Sequence, residues 1–257
     1  MSMKRSLVSF AALCALAAGS HAATLVVPGV EESTGVNTAF RNAARTYMAL
    51  YTSVNFESLS GPVWITGMQL RISASGNTGL PATWPSVDLS FANFNVQLSQ
   101  ASSSLLADGE FLSSTAAFAA QQAAGTVVNV RSGSLTLPTA SFTNTGGENS
   151  FGALISFSTP YLYTPGQSLL LYLTHTGYTP AGEPQPFFAA TGFQNGVTDA
   201  ISSTVGYQAA DANGFSSPYI VQFTTTPVPE PSTMLMLTGG IAGLLALNRR
   251  RRATDTR

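Results

Sequence analysis

The sequence has few of the side chains on which enzyme chemistry usually depends. Its 257 residues include one cysteine and two histidines, and only 9% of them are charged, against about 25% in a typical soluble domain. The single lysine is Lys4. Because the formal net charge is −1, the chain lacks the broad basic surface that binds DNA or RNA, and we expect no nucleic-acid partner.

The positions of cysteine and histidine exclude further classes of site. Cys14 lies in an N-terminal apolar segment that we expect to be removed, which would leave no disulfide, no thiol nucleophile and no cysteine-ligated metal. His175 would then be the only histidine. It lies in a strand-like pattern with Leu171 and Leu173, and the sequence has no Gly-x-Ser-x-Gly motif. We therefore predict a structural histidine, no catalytic residue and no cofactor.

Hydrophobic and turn-forming residues are abundant. Hydrophobic residues make up 44% of the chain, which includes 15 phenylalanines and 8 tyrosines, so a core can form and a disordered chain is excluded. The 23 glycines and 14 prolines, together with many serines and threonines, are typical of short strands joined by turns.

Residues 1–22 have the pattern of a secretory signal peptide. Two basic residues precede an apolar run over residues 7–18, and the small residues Ser20 and Ala22 follow it. As a helix this run would be about 18 Å long, too short for a hydrocarbon core of about 30 Å. We predict export of the chain, with cleavage between Ala22 and Ala23.

The C-terminal segment has three parts in a fixed order: a proline-bounded stretch, an apolar run over residues 234–247, and a cluster of arginines. The apolar run has 14 residues, or 17 if it is counted from Ser232 through Asn248, which is the short end of the range that spans a bilayer, and we predict a transmembrane helix there. Arginines remain on the cytoplasmic side, so the preceding domain would lie outside the inner membrane, in agreement with export. The residues concerned are Pro229, Glu230 and Pro231 in the first part and Arg249, Arg250, Arg251 and Arg252 in the last.

This order of parts resembles the PEP-CTERM sorting signal, over residues 227–252. The resemblance implies that Pro229, Glu230 and Pro231 are recognised by an exosortase, a membrane-embedded cysteine protease or transpeptidase. It implies that the helix holds the chain in the membrane, that the arginines stop translocation, and that residues 253–257 form a cytoplasmic tail. Because exosortases are usually encoded alongside exopolysaccharide genes, exopolysaccharide is a further implied partner. The alternative is an ordinary tail anchor.

Residues 23–226, between the two signals, form an acidic passenger. Four arginines and ten acidic residues give it a formal charge of −6. Met68, Leu70 and Ile72 alternate with polar residues, as in a half-buried strand, and residues 169–173 are apolar on both faces, as in a central strand. Further strand candidates are residues 126–131, 133–137, 151–158, 168–176, 187–191 and 218–225.

The fold class follows from how these strands are spaced. Apolar positions change parity between Phe91 and Phe94, which predicts a bulge or bend that returns both sets to one core. Helical patterns are sparse: Thr115 is a candidate cap for residues 116–124, and residues 37–45 have the length of one or two turns. About ten short strands without intervening helices predict a single all-β domain, an antiparallel two-sheet sandwich of jelly-roll type.

Two sets of residues are candidates for ligand binding. An exposed indole on a sandwich can stack against a sugar ring. Trp84, next to Pro85 in an expected loop, is the better candidate, because Trp64 adjoins Ile65 in a strand and is expected in the core. Core packing or loop anchoring is the favoured alternative for Trp84 as well. Asp211 and Asn213 precede a turn glycine and offer the oxygen ligands that calcium uses, although a plain turn is the favoured interpretation, because the later glutamate of an EF-hand is missing.

These observations favour one function and leave two alternatives. The favoured function is an exported, non-enzymatic protein of the cell surface or extracellular matrix, sorted by an exosortase and associated with exopolysaccharide. The first alternative is an extracellular polysaccharide hydrolase, since a pair of carboxylates can meet in space without a sequence signature. The second is a periplasmic protein that stays anchored in the membrane.

Overall fold

The computed structural model describes residues 22–103, 105, 113–192, 194 and 197–228. Contacts between Cα atoms group Ala23–Thr226 into one compact unit. The predicted signal peptide up to residue 21, the sorting motif from Pro229 onward, the predicted transmembrane helix over residues 234–247 and the predicted cytoplasmic tail lie outside the described residues. In the part that is described, no helix is long and apolar enough to cross a membrane.

The described chain is built almost entirely of short strands. A 3-10 helix (Ser53–Phe56) and an α-helix, α1 (Phe118–Gln121), interrupt them, and Ser103 and Leu105 are also helical. The strands are β1 (Ala23–Val27), β2 (Thr34–Val36), β3 (Arg45–Tyr51), β4 (Val63–Gln69), β5 (Thr83–Trp84), β6 (Leu89–Phe91), β7 (Phe94–Gln100), β8 (Val128–Arg131), β9 (Leu135–Leu137), β10 (Phe142–Thr143), β11 (Ile155–Tyr163), β12 (Leu169–His175), β13 (Tyr178–Thr179), β14 (Phe188–Ala190), β15 (Thr198–Ser203), β16 (Gly214–Ser216) and β17 (Val221–Pro227).

These strands form several antiparallel sheets, which confirms the all-β prediction. The two largest have the strand orders β1-β17-β4-β11 and β16-β15-β3-β12-β7-β8. Smaller sheets of two or three strands, β10-β5, β13-β6-β9 and β14-β2, complete the described part, so the sheets outnumber the two that were predicted. The additional sheets consist of strands of two or three residues, which are too short to produce a clear alternating pattern in the sequence.

One hydrophobic core takes residues from both large sheets. Ile65 and Phe223 of the four-stranded sheet belong to the same buried cluster as Val96 and Leu171 of the six-stranded sheet. Leu170, the neighbour of Leu171 on β12, belongs instead to a second buried cluster. Successive residues of a strand point to opposite faces, so β12 is buried on both faces. It lies between β3 and β7, which confirms the prediction of a central strand.

The parity change between Phe91 and Phe94 marks a passage from one sheet to another. β6 ends at Phe91 in the three-stranded sheet, and β7 begins at Phe94 in the six-stranded sheet. Both rings are buried in the main core, with their centroids 5.3 Å apart. The predicted bend therefore exists, as a break between two strands rather than a bulge within one.

The two helical predictions need correction. Helix α1 begins only at Phe118, with Ala117 as its N-cap residue and no side-chain cap, so Thr115 does not cap a helix over residues 116–124. Residues 37–44 form bends and turns and lead directly into β3. Neither segment has the apolar stripe that would stabilise a longer helix by packing.

Candidate functional site

The first and last strands of the compact unit pair with each other. β1 and β17 run antiparallel, with Ala23 opposite Thr225 and Val27 opposite Val221. The Thr225 hydroxyl donates a hydrogen bond to the carbonyl oxygen of Ala23 at 3.3 Å. Ala23, the residue expected to follow the signal cleavage site, is exposed at the start of β1, as is Ala22 before it.

β17 ends at Pro227, two residues before the predicted recognition motif. Of the predicted sorting residues, Pro229, Glu230, Pro231 and the four arginines from Arg249 to Arg252 lie outside the described residues. The pairing of β1 with β17 therefore makes Ala23 and Thr225, which lie near the two ends of the passenger, neighbours in the four-stranded sheet.

Residues 227–252 match the family model of the PEP-CTERM protein-sorting motif. No curated protein matches the chain. The match covers the proline-bounded stretch, the apolar run and the arginine cluster, and it confirms the resemblance read from the sequence. The motif indicates a protein targeted to an exosortase and implies export with processing at the membrane.

His175 is a structural residue, as predicted. It is fully buried at the end of β12, where its ring packs against the rings of Phe91 and Phe94. The backbone N–H of Gly177 donates to Nδ1 at 3.0 Å, so Nδ1 is an acceptor and the proton is on Nε2, which donates to the carbonyl oxygen of Thr38 at 2.9 Å. Burial lowers the pKa of His175 to about 4, so it is neutral and without a free nitrogen for general base catalysis.

The acidic residues near the four-stranded sheet have local partners. Arg71, almost fully buried, forms an ion pair with Glu148 and lies over the ring of Phe151, 5.3 Å from its centroid. Glu32 accepts hydrogen bonds from the Ser73 hydroxyl and from the backbone N–H of Ala74. These contacts connect loops to the segment that follows β4, which is a structural use of a carboxylate.

A shallow groove of about 290 Å³ lies beside β1. It is lined mainly by apolar side chains, and Glu57 is the one acidic residue in its described lining. A glycosidase needs two carboxyl groups, roughly 5–10 Å apart, on either side of the scissile bond. The lining is Leu25, Val26, Gly29, Val30, Val54, Asn55, Glu57, Ser58 and Val197.

The prediction that Trp84 is an exposed stacking residue is wrong. Trp84 lies on β5 rather than in a loop, is fully buried, and donates from its indole nitrogen to the carbonyl oxygen of Pro184 at 2.8 Å. Its ring contacts those of Phe40, Phe142 and Phe188, with centroid distances of 5.7–6.4 Å. These partners are far away in the sequence, so no local pattern around Trp84 could reveal its burial.

The expectation that Trp64 lies in the core is wrong as well. It is 37% exposed, whereas its neighbours Val63 and Ile65 are buried in the core. Strict alternation along β4 places Trp64 on the outer face of the four-stranded sheet. The alternation was present in the sequence, but a tryptophan between two β-branched apolar residues resembles a fully buried strand.

The candidate calcium residues Asp211 and Asn213 lie just before β16. Asp211 is exposed, and its backbone forms an isolated bridge with Ala117. The Asn213 side chain is hydrogen-bonded to Thr204 through both ends, accepting from the backbone N–H and donating to the hydroxyl, each at 3.1 Å. Among the residues that the structure describes, no three histidine, cysteine, aspartate or glutamate residues are grouped as metal ligands would be. Calcium binding stays a prediction.

Proposed function

We propose that this exosortase-targeted chain is a non-enzymatic protein of the cell surface or extracellular matrix, released from the inner membrane by cleavage at its sorting motif. The observation that carries the proposal is the position of the PEP-CTERM motif, which begins at Pro227, the last residue of β17. A compact domain ends where the sorting motif begins.

The order of the C-terminal parts supports a cutting step. The proline-bounded motif comes first, the apolar run second and the four arginines last. An arginine at the bilayer centre costs about 2.5–3.5 kcal/mol on insertion scales, so four together prevent the tail from crossing unaided. Release of the passenger on the outer side therefore requires cleavage between the passenger and the arginines.

A non-enzymatic role is supported by what the polar residues do. His175 is neutral and bonded through both ring nitrogens. Arg71, Glu148 and Glu32 form contacts that hold loops to the segment that follows β4. The two large sheets, which share one core, are consistent with the sandwich architecture that extracellular binding domains often have, and we infer that the passenger is such a sandwich, of jelly-roll type, associated with exopolysaccharide.

A substitution in the motif tests the sorting step. In a strain with an exosortase, Glu230→Ala should make the full-length precursor accumulate in the membrane fraction. Glu183→Ala, in the passenger, is the matched control and should be processed normally. If the wild-type chain and Glu230→Ala both stay uncut in the membrane, with or without the exosortase, the chain is an ordinary tail-anchored periplasmic protein.

A polysaccharide hydrolase is the other outcome that can be measured. Purified protein that releases reducing sugar from polysaccharide, with activity lost on Glu57→Gln, would assign an active site to the groove beside β1. We expect no such activity.

A further inference from the structure

We propose that the outer face of the four-stranded sheet binds an uncharged polysaccharide, with Trp64 as the stacking surface. The inference rests on the proposed function in one respect, because it takes the passenger to be exposed to polysaccharide outside the cell. To that function it adds the surface that binds the polysaccharide and the chemical class of the sugar.

The centre of this face is an exposed apolar pair. Trp64 on β4 and Leu162 on β11 are register partners, and they are 37% and 46% exposed. Side chains that face each other across two antiparallel strands have Cβ atoms about 4.5–5.5 Å apart, so the two form one patch. Contact between this apolar patch and water is unfavourable. A ligand with an apolar surface would remove the patch from water and gain that free energy on binding.

Polar but uncharged groups lie on the same face as this pair. Thr66, two residues from Trp64 on the same face, is half-buried and donates to the carbonyl oxygen of Thr224 on β17 at 3.3 Å. Strand alternation places further hydroxyl and amide groups on this face. They belong to Thr24, Ser156, Gln222, Thr224 and Thr226.

None of the residues of β1, β4, β11 and β17 is charged. A whole sheet without charge is unusual at a surface, where edge strands commonly carry lysine or glutamate. The passenger as a whole has a formal charge of −6. An anionic polysaccharide would be repelled by the domain and would find no cation on this face, whereas an uncharged one has no such penalty.

The chemistry of a neutral β-glucan fits these features. A β-glucopyranose ring carries its hydroxyls equatorially, so both ring faces present C–H groups while the rim presents hydroxyls. The C–H face can stack on an indole, and the rim can hydrogen-bond to threonine, serine and glutamine side chains.

The chain has two tryptophans, one exposed and one buried, which makes fluorescence a direct readout. The full-length chain is purified in a detergent without a sugar headgroup and titrated with cellohexaose or laminarihexaose. Tryptophan emission should change saturably in the wild type and in Trp84→Phe, in which Trp64 is the remaining tryptophan. Trp64→Ala should bind about tenfold more weakly or worse by calorimetry, while Val205→Ala, an exposed residue outside this sheet, should bind as the wild type does.

Three results would overturn the proposal. The first is the absence of saturable binding of either oligosaccharide by the wild type, which calorimetry decides even if Trp84→Phe does not fold. The second is equal affinity of Trp64→Ala and wild type. The third is an emission change that follows protein concentration instead of sugar concentration, which would assign the face to a second copy of the chain. Each can occur while the sorting motif is still processed, so failure here is distinguishable from failure of the proposed function.

Discussion

Ala23 and Thr225 face each other at the outer ends of β1 and β17, and the Thr225 hydroxyl donates to the Ala23 carbonyl oxygen. The residue expected to begin the mature chain is thus held by a residue two positions before the end of the last strand. β1 can pair only after β17 has been synthesised, since some 200 residues separate them. Closing this pair is therefore a late, long-range step.

Export should leave Ala23 as the first residue of the protein. The small residue at the predicted cleavage site fits a signal peptidase, and a bulky one would not. N-terminal sequencing of the exported protein should begin at Ala23, and Ala22→Phe should keep residues 1–22 attached. An exported wild-type chain that begins at Met1 would contradict this prediction.

Acid should destabilise the protein through His175. The pKa of His175 is about 4 in the folded protein and about 6.5 when unfolded, so only the unfolded state takes up the proton between these values. Stability is full above pH 6.5 and falls as the pH drops toward 4, by about 3 kcal/mol from this group. Hydrogen bonds from Thr139 lower the pKa of Asp88. Its contribution to the free energy of unfolding is therefore lost only below pH 3.8, the usual pKa of this carboxyl group.

Urea unfolding at several pH values measures this dependence, and His175→Gln is the matched variant. It should be less stable at pH 7, because a well-packed ring is lost, but should lose much less stability between pH 6.5 and 4. A pH dependence in that window as steep as in the wild type would show that another group is responsible.

Truncation of the two tryptophans should have very different effects. Trp84→Ala removes a fully buried ring and a hydrogen bond to Pro184, so it should lower the free energy of unfolding by about 3–5 kcal/mol. Trp64→Ala removes a side chain that is 37% exposed and should cost about 1 kcal/mol. Denaturant unfolding of both variants gives the comparison, and equal losses would contradict the burial described above.

Gly177 should be intolerant of a side chain for two separable reasons. It has a φ of +86°, and a Cβ there would lie 2.8 Å from backbone atoms of Asn42. Gly166 has a similar φ of +89° but open space around it. Gly166→Ala should therefore cost about 1–2 kcal/mol from the backbone conformation alone, and Gly177→Ala clearly more. Similar losses in thermal or urea unfolding would mean that the clash with Asn42 is relieved at no cost.

The sequence was most informative for a long strand whose surroundings are the same along its whole length. Residues 169–173 are apolar on both faces because β12 has a hydrophobic cluster on each side, so the central strand could be predicted. Of the strands that escaped prediction, β5 and β10 are very short and pair with each other across about 60 residues, whereas β1 and β15 are five and six residues long. For β5 and β10, pairing over that distance leaves no periodicity to detect.

The two tryptophans show where local patterns mislead. Trp84 follows a threonine and precedes a proline, as a loop residue would, yet Phe40, Phe142 and Phe188 surround it. Trp64 lies in an apolar run, yet strand alternation turns it outward. The sorting motif, in contrast, could be predicted in full, because its three parts are contiguous in sequence and depend on no tertiary contact.

The intact mass of the exported protein tests the central claim most directly. Protein from the culture medium or a surface extract of a strain with an exosortase should begin at Ala23 and lack Arg249, Arg250, Arg251 and Arg252, because release requires cleavage between β17 and the arginines. The same strain without its exosortase should retain the arginines on a chain in the membrane fraction. Exported wild-type protein that still carries the four arginines would contradict the account.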